Sequence, residues 1–172
     1  MNTQIPPRTK IFQQKALHYQ QLRAVEEQQT ANQNDYDVTY YELNLTPDTT
    51  TSILYGEVTV RGEVTAPNLN FVELNFWDGM IITSIYHASA PGVQLSYNRN
   101  NDILTVILGS TYMQGEFFNI TIEYHGQPQN SGYWGFEFDS YDGKSMIWTF
   151  SQPWGARSWW PCKDIPSDKA DS

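Results

Sequence analysis

Between Trp148 and Ser172 the chain reads WTFSQPWGARSWWPCKDIPSDKADS, and side chains capable of chemistry crowd together there. Trp148, Trp154, Trp159 and Trp160, the lone Cys162, and Gln152, Arg157 and Asp164 all fall within this turn-rich stretch. The set offers amide and guanidinium hydrogen bonding, a carboxylate, and broad aromatic faces. Cys162 follows Pro161 and has no histidine nearby in sequence, so it reads as a buried small apolar group rather than a nucleophile. His18, His87 and His125 lie far apart without H-E-x-x-H spacing, so the sequence offers no metal-ligand set and each reads as a surface or turn residue. A glycosidase needs two carboxylates flanking a sugar, and the spacing of Glu137, Asp139, Asp142, Asp164, Asp168 and Asp171 does not establish that geometry. No catalytic residue is identified on these grounds. Tyr133, Trp134, Trp154, Trp159 and Trp160 offer a sugar-stacking platform, although aromatics in such turns more often serve a core or an interface.

The elements that must hold this stretch read mainly as strands. From Asp35 onward apolar residues recur with period two: Tyr41, Leu43 and Leu45 against Tyr40, Glu42 and Asn44, until Pro47 breaks the run. A polar turn at Thr49 to Thr51 leads to SILYGEVTVRGEVT, where Gly56 and Gly62 mark expected bulges or bends. Short strands follow at Asn70 to Phe76, Met80 to His87, Val93 to Tyr97, Ile103 to Leu108 and Glu116 to Tyr124, with turns at Asp78-Gly79, Pro91-Gly92 and Asn98 to Asp102. GQPQNSGYWGFEFDSYDGK reads as a glycine-aromatic hairpin, and Ser145 to Phe150 delivers the chain to the crowded segment. The expected fold is all-β, a curved antiparallel saddle or sandwich of two sheets. Residues 1–34 differ: Thr9 to Gln29 is rich in Gln, Glu, Lys and Arg with a thin apolar stripe, which reads as an N-terminal helical arm after Pro6-Pro7. The expected division is therefore a polar helical arm over 1–34 and a β domain over 35–172.

Ten Lys and Arg against 19 Asp and Glu give a net charge of −9, and the scattered basic residues disfavour a nucleic-acid partner. No apolar run is long enough for a membrane span, and MNTQIPPRTK lacks a signal peptide's apolar centre. The expectation is a cytoplasmic protein, or a secreted or periplasmic one whose signal peptide has been removed. One cysteine leaves the redox compartment open.

Read in register, Ser151-Gln152-Pro153-Trp154-Gly155-Ala156-Arg157 followed by Trp160-Pro161-Cys162-x-Asp164-x-Pro166-x-x-Lys169-Ala170 resembles the zinc aminopeptidases of the aminopeptidase N type, relatives of leukotriene A4 hydrolase. YDVTYYELNLTPDTTTSILYGEVTV is similar to the family's first hairpin, and GQPQNSGYWGFEF to its glycine-aromatic hairpin. The resemblance implies an N-terminal β domain that packs on a downstream thermolysin-like catalytic domain. It implies that Gln152 helps bind the free α-amino group of a peptide substrate, that Trp154 lines the pocket for the first substrate side chain, and that Arg157 and Asp164 are a structural ion pair or turn-stabilising groups rather than catalytic ones. Zinc, as the resemblance implies, belongs to the parent enzyme and is not bound by this chain. The family's Gly-x-Met-x-Asn motif, its H-E-x-x-H with a distant Glu and its transition-state tyrosine are absent from these residues. The expectation is a fragment that does not hydrolyse peptides by itself and leaves an exposed apolar patch around Trp154 to Trp160 where the catalytic domain sits. The competing reading is a stand-alone β-sandwich module that binds carbohydrate or a protein partner through its aromatics.

Overall fold

The structure is a computed structural model that describes residues 29–129, 135–152 and 154–171. The helix expected over Thr9 to Gln29 lies, but for its last residue, outside the described residues, as do Tyr133 and Trp134. Among the described residues ten strands follow in chain order: β1 Tyr36–Asp48, β2 Ile53–Val64, β3 Asn68–Asn75, β4 Ile81–His87, β5 Ala90–Gln94, β6 Tyr97–Asn100, β7 Ile103–Met113, β8 Phe117–Gly126, β9 Gly135–Tyr141 and β10 Lys144–Phe150. They form a five-stranded sheet in the order β1-β2-β8-β4-β5, a three-stranded sheet in the order β3-β7-β6, and the β9-β10 hairpin. Among the described residues every strand pairing is antiparallel. The expected all-β sandwich is the observed architecture. Among the described residues no helix is long and apolar enough to cross a membrane.

The period-two pattern accounts for one shared core. Val58, Val60, Ile120 and Ile122 face inward from the larger sheet, and Val72, Leu74, Leu104 and Val106 from the smaller, all at 0% exposure. Full burial of such side chains is worth roughly 1.5–3 kcal/mol each, so the two faces hold one another without a disulfide. Bulges interrupt the ladders between Val38 and Tyr40, Leu69 and Phe71, and Ile82 and Ser84, which supplies the expected bending of the strands.

One bulge lies where a glycine suggests it: the β1 irregularity between Val38 and Tyr40 falls opposite Gly62 and Arg61, whereas Gly56 is in regular register with both neighbouring strands. In the β2-β8 ladder Gly56 and Gly62 pair with Tyr124 and Phe118. A Cβ on Gly56 would lie 2.3 Å from the Tyr124 ring, and one on Gly62 2.5 Å from the Phe118 ring. Both glycines are seats for buried cross-strand rings. Two prolines also depart from expectation. Pro47 does not end β1 but pairs with Leu54, and Pro91 lies inside β5, the turn being formed instead by Ala88-Ser89 between the paired His87 and Ala90. Both β1 and β5 are sheet edges, where a missing N–H costs no ladder bond. The expected strand Val93 to Tyr97 is split between β5 and β6, and β6 runs to Asn100 before a tight turn at Asn101-Asp102, whose φ values of 52° and 60° suit these residues.

Two uncharged side chains from the stretch before β1 enter the domain. Asn32 donates to the Phe71 carbonyl at 3.2 Å and accepts from the Glu73 amide at 2.9 Å, covering the open edge of β3 with a side-chain amide. Gln33, at 0% exposure, donates to Asn75 Oδ1 at 2.8 Å.

Candidate functional site

The crowded segment begins at the exit of the β9-β10 hairpin. That hairpin turns at Asp142-Gly143, with φ of 50° and 72°, a left-handed pair that matches strand twist. The glycine-aromatic stretch supplies β9 and this turn, and the strand expected over Ser145 to Phe150 is β10, which pairs back on β9. Beyond Phe150, the Gly155 amide donates to the Ser151 carbonyl at 2.7 Å, and the Trp159 indole donates to Ser151 Oγ at 3.1 Å. A turn of 3₁₀ helix at Ala156–Ser158 follows.

This turn is tied to the sandwich from several sides. The Arg157 carbonyl accepts from the Trp77 amide at 2.9 Å, and the Ser158 carbonyl accepts from the Gln129 amide at 3.0 Å. Gly135, with φ of 112°, lets the hairpin pass close by, since a Cβ there would meet Ser158 Oγ at 2.6 Å. The loop that offers Trp77 is itself fixed by Arg99, whose guanidinium donates to the carbonyls of Trp77 at 2.5 Å and Phe76 at 3.3 Å and also to that of Met80.

Arg157 and Asp164 form the ion pair implied by the resemblance. Arg157 Nε donates to Asp164 Oδ2 at 2.8 Å, with side-chain exposures of 6% and 7%, and Nη2 donates to the Asp164 carbonyl at 3.0 Å. Burial holds the Asp164 carboxyl above the usual carboxylate range, and the Arg157 charge and hydrogen bonds pull it partly back. Between the partners the chain makes an antiparallel bridge, Asn75 N to Cys162 O at 2.7 Å and Cys162 N to Asn75 O at 3.1 Å. Asn75 Oδ1 accepts from the Asp164 amide at 3.1 Å as well as from Gln33. Cys162 is buried, as expected, and burial pushes its thiol up.

The tryptophans are not presented as an open patch. Trp159 and Trp160 are half-buried, with their ring planes inclined by 60° to one another; Trp159 tilts on Phe136 at 5.4 Å and Trp160 meets Tyr41 edge-on at 4.9 Å. Inclined rings wedged into a core do not make a flat sugar platform, and the expected exposed patch over Trp154 to Trp160 is not observed. Apolar exposure is instead prominent along the hairpin, at Tyr141, Met146 and Phe150. Of the two residues connected with substrate, Gln152 is exposed and Trp154 half-buried. A depression of about 680 Å³ lined by Asn44, Tyr55, Glu57 and His125 lies elsewhere, on the β1-β2-β8 face, and includes neither of them.

The described residues do not fit a zinc ion. His87 Nε2 is engaged with the Leu108 carbonyl at 2.8 Å, His125 stacks on Tyr55, and Cys162 is held as a thiol. Among the described residues no three metal-ligating side chains converge. Sequence reasoning missed Asn75, Gln33 and Lys163, polar residues whose partners lie up to 127 positions away; Asp168, one of the candidate carboxylates, pairs with the nearby Lys163.

Comparison with known proteins fits this arrangement. The structure is similar to an M1 zinc metallopeptidase variant from Deinococcus radiodurans bound to a Tyr-Ser-Ala substrate, with 26% identity and a TM-score of 0.65 over 79% of this chain and 31% of that one. It is similar also to the M1 zinc metallopeptidase from the same organism, at 25% identity and a TM-score of 0.66, with the same coverage, and to a two-domain M1 zinc metallopeptidase variant bound to L-arginine, at 26% identity and a TM-score of 0.66 over 79% and 31%. The chain thus spans about a third of the length of these solved relatives. No curated protein matches the chain. The model of the Peptidase M1 N-terminal domain matches residues 37–172, from the second residue of β1 through the buried Arg157–Asp164 pair, and the chain belongs to that family.

Proposed function

We propose that this chain is the N-terminal domain of a zinc-dependent aminopeptidase and that Gln152 accepts a hydrogen bond from the α-ammonium group of a peptide substrate. The observation that carries the reading is the contrast at the end of the hairpin. Gln152 is exposed, while Arg157 and Ser158, a few residues on, are buried and tied to the sandwich. A polar side chain on a short turn with one anchored end has a limited range, which suits orientation of a small charged group. The Tyr-Ser-Ala and L-arginine named for the relatives share a free α-amino group, the chemistry that an amide oxygen recognises. Trp154, beside Gln152, lines the pocket for the first side chain. The exposed Tyr141, Met146 and Phe150 of the hairpin belong to the surface that meets the downstream catalytic domain. In this reading the zinc and the general base reside in that downstream domain.

A hydrogen bond to a charged group contributes about 1.5–3 kcal/mol, and a neutral amide supplies the lower part of that range. In the longer enzyme, Gln152→Ala is expected to lower kcat/KM toward aminoacyl substrates by about tenfold, and Gln152→Glu to recover it. Unchanged kinetics in both variants would remove the anchoring role while leaving the family membership intact.

A further inference from the structure

The turn that carries Gln152 is supported from outside its own segment, and the support leads back to one guanidinium. The Trp77 amide donates to the Arg157 carbonyl at 2.9 Å. Two residues earlier, Asn75 bridges Cys162 and accepts from the Asp164 amide at 3.1 Å. Arg157, Cys162 and Asp164 therefore rest on the end of β3 and on residues 76–80, which join β3 to β4 and lie outside the strands. Outside a ladder, shielded carbonyls need other donors. Arg99 of β6 supplies them: Nη2 donates to the Trp77 carbonyl at 2.5 Å and to that of Phe76 at 3.3 Å, and Nη1 donates to that of Met80.

Arginine suits this task because a rigid planar fork can meet several carbonyls at fixed angles, which a single ammonium cannot. The Arg99 side chain is 16% exposed, its guanidinium carbon lies 5.0 Å from the Phe76 ring centroid, and Nε pairs with Asp78 Oδ1 at 3.3 Å. Asp78 is locked in turn. Its amide donates to Asp102 Oδ1 at 2.7 Å, the Asp102 amide donates to Asp78 Oδ2 at 3.1 Å, and the Phe76 amide donates to the Asp102 carbonyl at 2.8 Å. The turn after β6 and residues 76–80 thus form one clasp. From Arg157 the path to Gln152 is short: the Ser158 amide donates to the Gly155 carbonyl at 3.3 Å, and the Gly155 amide donates to the Ser151 carbonyl at 2.7 Å. Successive main-chain bonds of this kind leave little slack between the clasp and Gln152.

We propose that Arg99 is a positioning residue for Gln152. By holding three carbonyls of residues 76–80 it fixes the Trp77 amide, and through the Arg157 carbonyl it fixes the turn from which Gln152 reaches the substrate's ammonium group. The inference rests on the anchoring role proposed for Gln152. Arg99 does not meet the substrate in this account; it sets where the amide oxygen stands. A hydrogen bond weakens steeply with misalignment, and a displacement of about 1 Å at a binding group costs rate even where the fold survives. The effect of losing Arg99 is partial, because the Arg157–Asp164 pair and the bond from the Gln129 amide to the Ser158 carbonyl still hold the turn.

The test is a double-variant cycle in the longer enzyme, run well below the unfolding temperature of each variant. Arg99→Met removes every donor of the fork and is expected to lower kcat/KM toward aminoacyl substrates about threefold, with a raised KM. A residue that serves stability alone changes the folded fraction and leaves KM where it was. Because Arg99 acts through Gln152, the variant carrying both Arg99→Met and Gln152→Ala should be no worse than Gln152→Ala alone, whereas independent effects would multiply to about thirtyfold. An unchanged KM in Arg99→Met, or a multiplicative double variant, overturns the proposal. Unchanged kinetics in Gln152→Ala would remove the anchor itself and the positioning role with it, an outcome read from that single variant and so distinct from the other two. Should Arg99→Met fail to fold, Arg99→Lys takes its place in the cycle, since it keeps a charge beside Asp78 but loses the fork, and the same outcomes decide.

Discussion

The Arg157–Asp164 pair is the sharpest place to test how the site is held. Both side chains are at least nine-tenths buried, the Nε–Oδ2 distance is 2.8 Å, and the same Arg also binds the Asp164 main chain. Asp164→Ala removes the carboxylate and leaves the guanidinium in a desolvated position without its counter-charge. Truncating one partner of a buried pair costs about 3–5 kcal/mol, against at most about 1 kcal/mol for an exposed one. With a urea m-value near 2 kcal/mol/M, the unfolding midpoint should fall by about 2 M. The double variant Arg157→Met/Asp164→Leu replaces both charges with apolar groups and should regain most of that loss, because the desolvation cost of the two ions disappears with them. Urea denaturation followed by tryptophan fluorescence reads both outcomes, with Trp159 and Trp160 adjacent in the chain as reporters. A loss below about 1 kcal/mol for Asp164→Ala, or a double variant no more stable than the single, would refute the view that this pair is a buried electrostatic clamp.

Two further outcomes follow from packing. Gly56→Ala drives a Cβ to within 2.3 Å of the buried Tyr124 ring and should cost about 1–3 kcal/mol, lowering Tm by roughly 2–10 °C in thermal unfolding; an unchanged Tm would show that the ring moves freely. Cys162 is buried with its thiol pushed up, so labelling of the native chain by a disulfide reagent should be orders of magnitude slower than labelling in denaturant, and rapid native labelling would contradict its place in the core.

The alternation of apolar and polar residues from Asp35 onward was enough to read an all-β chain and most of its strands, because a half-buried strand repeats every two residues whatever it packs against. The ion pair was readable too, since Arg157 and Asp164 lie in one local motif and resemble a known register. Gly62 does face the β1 bulge, but that Gly56 and Gly62 also seat the Tyr124 and Phe118 rings is not legible, because a sequence shows a missing side chain without showing the ring that fills its place. Pro47 and Pro91 were read as breaks because edge position is a property of the sheet, not of the strand. Whether the tryptophans serve a core or an exposed face is not legible locally, because the partners of Trp160 and Trp159, Tyr41 and Phe136, come from β1 and β9.

By itself, the sequence determined period, turn chemistry and the motif that joins Gln152 to Arg157 and Asp164, all of which depend on residues near one another in the chain. Only the tertiary structure decided that Asn75 and Gln33 support that motif and that Lys163 ties it to Tyr36 and Tyr41 of β1. Those contacts join residues tens of positions apart, and a polar side chain acquires such a role only when folding removes water and leaves a particular partner within reach.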